Sequence, residues 1–383
     1  MSSAITQNAL FVFVLENNMA GSSFGTMYRI TTWGESHGAG VGVVIDGCPA
    51  GLELSEADIQ EYLDRRKPGQ SAYTTQRKES DTVRIMSGVF EGRTTGTPIS
   101  LMVLNADQHS KDYSNIMDTY RPGHADYTFD RKFGFRDYRG GGRSSGRETI
   151  GRVAGGAVAA LILKRMGISF LTYTKAIGSI TIDYAAFDSA VISQNALYMP
   201  DAGAAVRAEA YLKECMEKKD SAGGIIECVI KGLPAGIGDP VFDKLDAELA
   251  KAMLSIGAVK GFEIGDGFGA SLLTGSENND SFVPDGNGRI KKETNHAGGT
   301  LGGISDGSDL IFRAAVKPTP SIAQPQKTVH RDGTPCELTI HGRHDPVIVP
   351  RAVVVVEAMA AVTVLDRILC GFGSKIDEII RMQ

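Results

Sequence analysis

The chain has 383 residues, 42% hydrophobic and 22% charged, with a formal net charge of -5. That length can bury a sizeable core, and nothing in the charge balance points to a polyanion as partner. No apolar run reaches the ~18–20 residues that span a bilayer. The five cysteines, Cys48, Cys215, Cys228, Cys336 and Cys370, are scattered and show no CxxC spacing. A zinc site or disulfide framework is therefore not expected, and the chain reads as cytoplasmic, bound to neither membrane nor nucleic acid.

The apolar run Ala9–Leu15 lacks the basic flank of a secretory signal, so it reads as an extra strand or as sequence upstream of a start at Met19. Tyr28–Thr32 and Val41–Asp46 alternate apolar and small residues and predict strands. Ser55-Glu56-Ala57-Asp58 opens a helix that Pro68-Gly69 stops at about Lys67. Residues 83–90 and 98–104 predict two further strands. The polar stretch from Asn105 to Arg147 is a very long loop for a compact domain, and its aromatics argue against disorder. Ser145-Gly146-Arg147-Glu148 is a second capping-box match, opening an apolar helix from Thr149 to Met166 that Gly167 ends.

Strands are expected near 168–182, 224–231, 310–316 and 336–341. Helices are expected over 202–218 and from Phe242 to Ile256, the latter closed by a left-handed Gly257. Pro350 starts a final helix ending at Gly371, too continuously apolar to be exposed. Strands and helices mix without regular βαβ alternation, so the class is α+β, with helices packed against antiparallel sheets.

Several clusters carry chemistry. Thr32–Gly38 packs two glycines, Glu35, Ser36 and His37 into one turn after a strand. It is either a ligand-contacting turn with a proton donor or a plain turn with a satisfied histidine. Arg121–Arg152 holds eight Lys/Arg against four Asp/Glu inside an acidic protein, an inversion that calls for an anionic ligand or a rim of ion pairs. Within it, Gly140–Ser145 runs into a helix N-terminus, where N–H groups, hydroxyls and arginines bind phosphate or carboxylate. The rivals are an ordinary capped helix and an RGG-type nucleic-acid segment, although such segments repeat and this one occurs once.

Arg65–Gly69, taken alone, is better explained by favourable dipole pairing at a helix C-terminus. Asn295–Gly303 is a glycine-rich loop of weak signal, and Lys317-Pro318-Thr319 and Gly342–Pro346 each place charge at a strand end. The histidines show no metal-ligand spacing, so no metal is expected.

Together these segments resemble chorismate synthase. The matching pieces are TTWGESHG (31–38), LDRRKPG (63–69), RPGHADYT (121–128), DYRGGGRSSGRET (137–149), SIGAVKGFEIGDGF (255–268), NHAGGTLGGIS (295–305), KPTPSI (317–322) and GRHDP (342–346), in family order. The resemblance implies a β-α-β sandwich of antiparallel sheets around a helical layer, assembled as a homotetramer. Residues 25–383 would form a single catalytic domain behind an N-terminal extension, 1–24.

The implied activity is a lyase reaction of aromatic amino acid biosynthesis. 5-Enolpyruvylshikimate 3-phosphate would become chorismate and phosphate by anti-1,4-elimination with reduced FMN. NADPH or an external flavin reductase would keep the flavin reduced. By motif position Arg66, Arg121, Arg147 and Arg343 fall at the substrate. Arg143, Ser144, Ser145, Gly257, Ala258, Gly302, Lys317, Pro318, Thr319, Pro320, Ser321 and Arg343 fall at the flavin. His37 would assist the leaving phosphate, His124 would protonate reduced flavin, and Asp345 would accept a proton from it, with Ser36 and Ser145 relaying or holding water.

Ala72 stands where many relatives carry Arg or Lys, with Arg77 or Lys78 as replacements; Gly146 and Pro320 replace a common alanine and serine. The alternatives are a flavin-dependent oxidoreductase, which lacks a GxGxxG fingerprint here, and an anionic-ligand or nucleic-acid binding module.

Overall fold

The computed structural model describes residues 21–69, 73, 79–105, 116–286, 288, 290–340 and 345–380. Ala9–Leu15, Met19, Ala72, Arg77, Lys78 and Arg343 lie outside the described residues.

One sheet consists of β1 (Ser23–Phe24), β2 (Arg29–Gly34), β3 (Gly40–Asp46), β4 (Val83–Ile85) and β5 (Ile99–Leu104). Their spatial order is β1-β2-β3-β5-β4 and every neighbouring pair is antiparallel. The second sheet consists of β6 (Ser169–Ile177), β7 (Ile180–Thr181), β8 (Gly224–Lys231), β9 (Val259–Ile264) and β10 (Leu310–Val316). It is also antiparallel throughout, in the order β9-β10-β8-β6-β7.

The longer helices among the described residues are α1 (Glu56–Arg66), α2 (Asp126–Phe133), α3 (Thr149–Arg165), α4 (Ala202–Glu217), α5 (Leu245–Leu254) and α6 (Val349–Cys370). Helix α3 lies on β2, β3 and β5 and packs against α6, which lies on β6 and β8; α1 and α5 flank the pair. This is the sandwich of two antiparallel sheets around a helical layer, and one continuous apolar core runs through it.

Helix α6 is buried along most of its length, so its charged residues need partners inside. Glu357 accepts both Nη groups of Arg65 at 2.8 Å. Asp366 accepts the backbone N–H groups of Thr26, Met27 and Tyr28 at 2.9, 2.7 and 3.0 Å, tying the entry of β2 to the last helix.

Four local expectations change. Within the long polar stretch the chain forms α2, capped at its C-terminus by Gly134 at φ 72°. Its signal is weak because it is eight residues long, and no side chain caps its start. Ser145 accepts the Arg147 N–H and caps a 3₁₀ turn, Gly146–Glu148, rather than closing a capping box with Glu148. Glu148 instead accepts from Thr32 and Arg152. The left-handed residue after α5 is Ala258 at φ 72°, not Gly257. The predicted strand over 83–90 breaks at Ile85 and resumes at Val89–Phe90.

The α3–α6 contact depends on a missing side chain. A Cβ added to Gly156 would lie 2.4 Å from the Ala358 Cβ and 2.5 Å from its Cα and carbonyl oxygen. Backbone cannot step aside, so the helices would have to part. Gly156→Ala should therefore lower stability by ~1–3 kcal/mol despite the better helix propensity of alanine. Urea denaturation reads the shift, and a midpoint at or above that of the wild type would contradict the close crossing.

Candidate active site

A cavity of about 720 Å³ opens where the elements of the helical layer end. Each wall comes from a turn that the fold holds at the end of an element. Ser36 and His37 follow β2, and Arg66 is the last residue of α1. Arg121 and His124 precede α2. Arg143, Ser144, Ser145 and Arg147 occupy two successive 3₁₀ turns that lead into α3. Gly257 and Ala258 join α5 to β9, Lys317 and Thr319–Ser321 follow β10, and Asp345 precedes α6. Segments separated by more than three hundred residues, such as Ser36 and Arg351, thus meet in one cavity. Pro318 and Gly302 lie outside its walls, Gly302 in the turn joining Thr300–Leu301 to Ile304–Ser305. Arg343 lies outside the described residues.

His37 and Ser36 sit directly over Gly140, which has φ 85°. A Cβ there would come within 2.9 Å of the His37 ring and 3.1 Å of Ser36 Oγ, so only glycine allows this approach. Ser36 Oγ and Thr319 Oγ1 are buried and have no hydrogen-bond partner among the described residues, yet both residues line the cavity. Such orphaned hydroxyls in the walls of a cavity suit a polar ligand. The cavity also falls within the ~300–1,000 Å³ range of small-molecule sites.

The arginines are already oriented by the protein. Arg121 meets Asp126 through two bonds of 2.7 Å and donates to the Gly140 carbonyl at 2.8 Å. Arg66 Nη2 lies 2.6 Å from Asp81, and Arg147 Nη1 lies 3.2 Å from the same carboxylate. Arg147 also pairs with Glu79 and donates from Nε to Asn105 at 2.8 Å. Arg143 turns toward β2, donating to the carbonyls of Gly34 and Thr32 at 3.0 Å each.

Sequence reasoning missed several members. Arg152 lines the cavity and donates to Ser255 Oγ at 2.6 Å. Arg351, a lone charge in the first turn of α6, lines it and pairs with Asp345. Lys260 on β9 is a further wall cation. The signal for Arg351 and Arg152 was an arginine inside an otherwise apolar helix; Asp81 carried none.

Asp126 is the electrostatic hinge of this wall. Burial alone would raise its pKa. The hydrogen bonds and charges of Arg121 and His124 outweigh that and hold the carboxyl well below the ordinary range. His124 Nδ1 is 3.1 Å from Asp126 Oδ1, so the carboxylate accepts from Nδ1 and Nε2 is the remaining ring nitrogen.

An antiparallel β-α-β sandwich with a cation-walled cavity at the ends of its helices is the architecture of an enzyme that takes a small molecule. The sequence profile of the chorismate synthase family matches residues 28–369. A chorismate synthase of Agathobacter rectalis is 64% identical over 361 residues, 94% of this chain and 98% of that protein. One from Chloroflexus aurantiacus is 54% identical over 351 residues, 92% and 96% of the two chains. A crystal structure of a chorismate synthase superposes with a TM-score of 0.74 at 31% identity, covering 94% of this chain and 96% of that one. The chain belongs to the chorismate synthase family. It is accordingly a lyase of the shikimate pathway.

A carboxyl whose folded pKa is depressed stabilises the fold above its unfolded pKa and loses that contribution as pH falls through the folded value. At neutral pH Asp126→Asn should therefore cost stability, on the order of 3–5 kcal/mol for breaking a buried pair. The gap to wild type should stay constant down to about pH 5 and narrow below about pH 4, where the unfolded carboxyl takes up its proton. Denaturation curves across pH 3–7 read it, and a gap that widens on acidification would contradict the assignment.

Proposed function

We propose that the cavity binds 5-enolpyruvylshikimate 3-phosphate beside reduced FMN and releases chorismate and phosphate by anti-1,4-elimination, in the cytoplasm and within a homotetramer. The observation that carries this reading is the charge of the walls. Among the described residues eight Lys and Arg face the cavity against three carboxylates, Glu79, Glu148 and Asp345. That excess matches a substrate with two carboxylates and a phosphate. Each charge-assisted hydrogen bond contributes ~1.5–3 kcal/mol, so several are needed to offset desolvating such an anion.

Arg66, Arg121 and Arg147 would hold the substrate's anionic groups, their planes set by Asp81 and Asp126. Ser144, Ser145, Gly257, Ala258, Lys317 and Thr319–Ser321 would hold the flavin, with Arg343, Gly302 and Pro318 as further proposed contacts. When bound there, reduced FMN would supply the electron density that favours carbon–oxygen cleavage. His37, fixed over Gly140, would donate a proton or hydrogen bond to the departing phosphate oxygen. His124 would exchange its proton through Nε2, since Nδ1 is taken by Asp126. Asp345, held by Arg351, would accept the proton released from the flavin side.

The wall cations lie within a cavity, which favours a small molecule over a polynucleotide. Mixing protein, anaerobically reduced FMN and 5-enolpyruvylshikimate 3-phosphate should yield phosphate and chorismate in equal amounts without matching consumption of NAD(P)H. Consumption in proportion would select a flavin oxidoreductase, and no product from folded protein would overturn the proposal. Aerobic turnover on oxidised FMN plus NADPH would separate a self-reducing enzyme from one served by an external reductase. His37→Ala should lower turnover ~10²–10⁴-fold with an unchanged melting temperature. Full activity in that variant would remove the proton role from His37.

A further inference from the structure

We propose that Asp81 is a positioning residue that sets the geometry and charge of Arg66 and Arg147 for the substrate, an inference that rests on the function proposed above. Its carboxylate is fully buried and divides its two oxygens between two cations. Oδ2 is 2.6 Å from Arg66 Nη2, and Oδ1 is 3.2 Å from Arg147 Nη1. Other contacts of the two arginines lie along the same seam. Arg66 Nη1 donates to the Gly146 carbonyl at 3.1 Å, and Arg147 donates from Nε to Asn105 at 2.8 Å and pairs with Glu79. Asp81 thereby joins the end of α1 to the turn before α3 across the cavity wall.

The backbone of Asp81 is built for this. It sits at φ 47°, a left-handed conformation that aspartate tolerates better than most residues. Gln60 on α1 fixes it from both sides, donating to the Asp81 carbonyl at 3.3 Å and accepting the Val83 N–H at 3.0 Å. A residue needed only to neutralise charge could sit in ordinary backbone. Here a left-handed residue is clamped so that its side chain enters between two guanidinium groups.

Two buried cations side by side repel each other and lose hydration. One carboxylate bridging them offsets both costs and holds the two planes in a fixed relation. Asp81→Asn keeps the size and one acceptor oxygen but turns an NH₂ toward a guanidinium, so one arginine loses its bond to residue 81 while Arg147 keeps Glu79 and Arg66 keeps the Gly146 carbonyl.

The test uses the full chain with FMN and 5-enolpyruvylshikimate 3-phosphate. Asp81→Asn should raise the substrate's KM and dissociation constant roughly ten- to hundredfold, lower kcat by less, and leave FMN affinity within about twofold. Arg66→Gln and Arg147→Gln are measured alongside. Because Asp81 acts through both arginines, the Asp81→Asn penalty should be smaller in the Arg66→Gln background than in wild type, so the Asp81→Asn/Arg66→Gln pair binds substrate only slightly worse than Arg66→Gln alone. That pair removes a cation together with its counter-ion, so it remains the deciding variant if Asp81→Asn fails to fold. Wild-type affinity in folded Asp81→Asn, or full additivity in the pair, would overturn the inference. Wild-type affinity in both arginine variants would instead overturn the proposed substrate site.

Discussion

Asp126 lies where two arginines and a histidine meet. Arg121 closes on it with two bonds of 2.7 Å, Arg136 approaches at 2.9 Å, and His124 Nδ1 at 3.1 Å. Arg136 then spends its Nη2 on the carbonyls of Ile116, Met117 and Thr119, and its Nε faces Asp130. This cluster knits the segment before α2 to the wall of the cavity. The constraint behind it is general. Two like charges 4 Å apart cost about 4 kcal/mol at an effective dielectric of 20, so a wall of cations must be assembled around internal anions. Asp126, Asp81 and Glu79 are among those anions.

The sandwich explains why such a wall can be rigid. Most of the cavity residues hang from the last or first turn of an element whose interior is buried in the core. Helices α3 and α6 touch closely enough at Gly156 and Ala358 to leave no room for a methyl group. Asp366 fixes the start of β2, which carries Ser36 and His37 at its other end. Packing therefore reaches the site through short lever arms, and preorganised donors lose little entropy when a ligand arrives.

Much of the fold was legible locally. The strand Gly224–Lys231 and the capped helix Glu56–Arg66 carry their signals within a few residues. Helix α2 was hidden because it is only eight residues long and has no side-chain cap at its start, and tertiary ion pairs of Asp126 and Asp130 stabilise it instead. The glycine at 257 suggested a left-handed cap, but the chain places that conformation at Ala258, where the Ala258 carbonyl accepts the Lys317 N–H. Among the eight cations of 121–152, composition did not distinguish Arg121 and Arg147 at the cavity from Arg136, whose partners lie in the protein, or Arg139, which pairs with Asp137 at the surface.

The sequence by itself determined the motifs, their order, most element boundaries and the family, because these depend on residues near one another along the chain. Only the tertiary structure decided which arginines share a cavity, which carboxylates neutralise them, and that Arg152, Arg351 and Lys260 join the wall. The physical reason is distance. Asp81 and Arg147 are 66 positions apart in sequence and 3.2 Å apart in the protein, and electrostatics acts through the second separation alone.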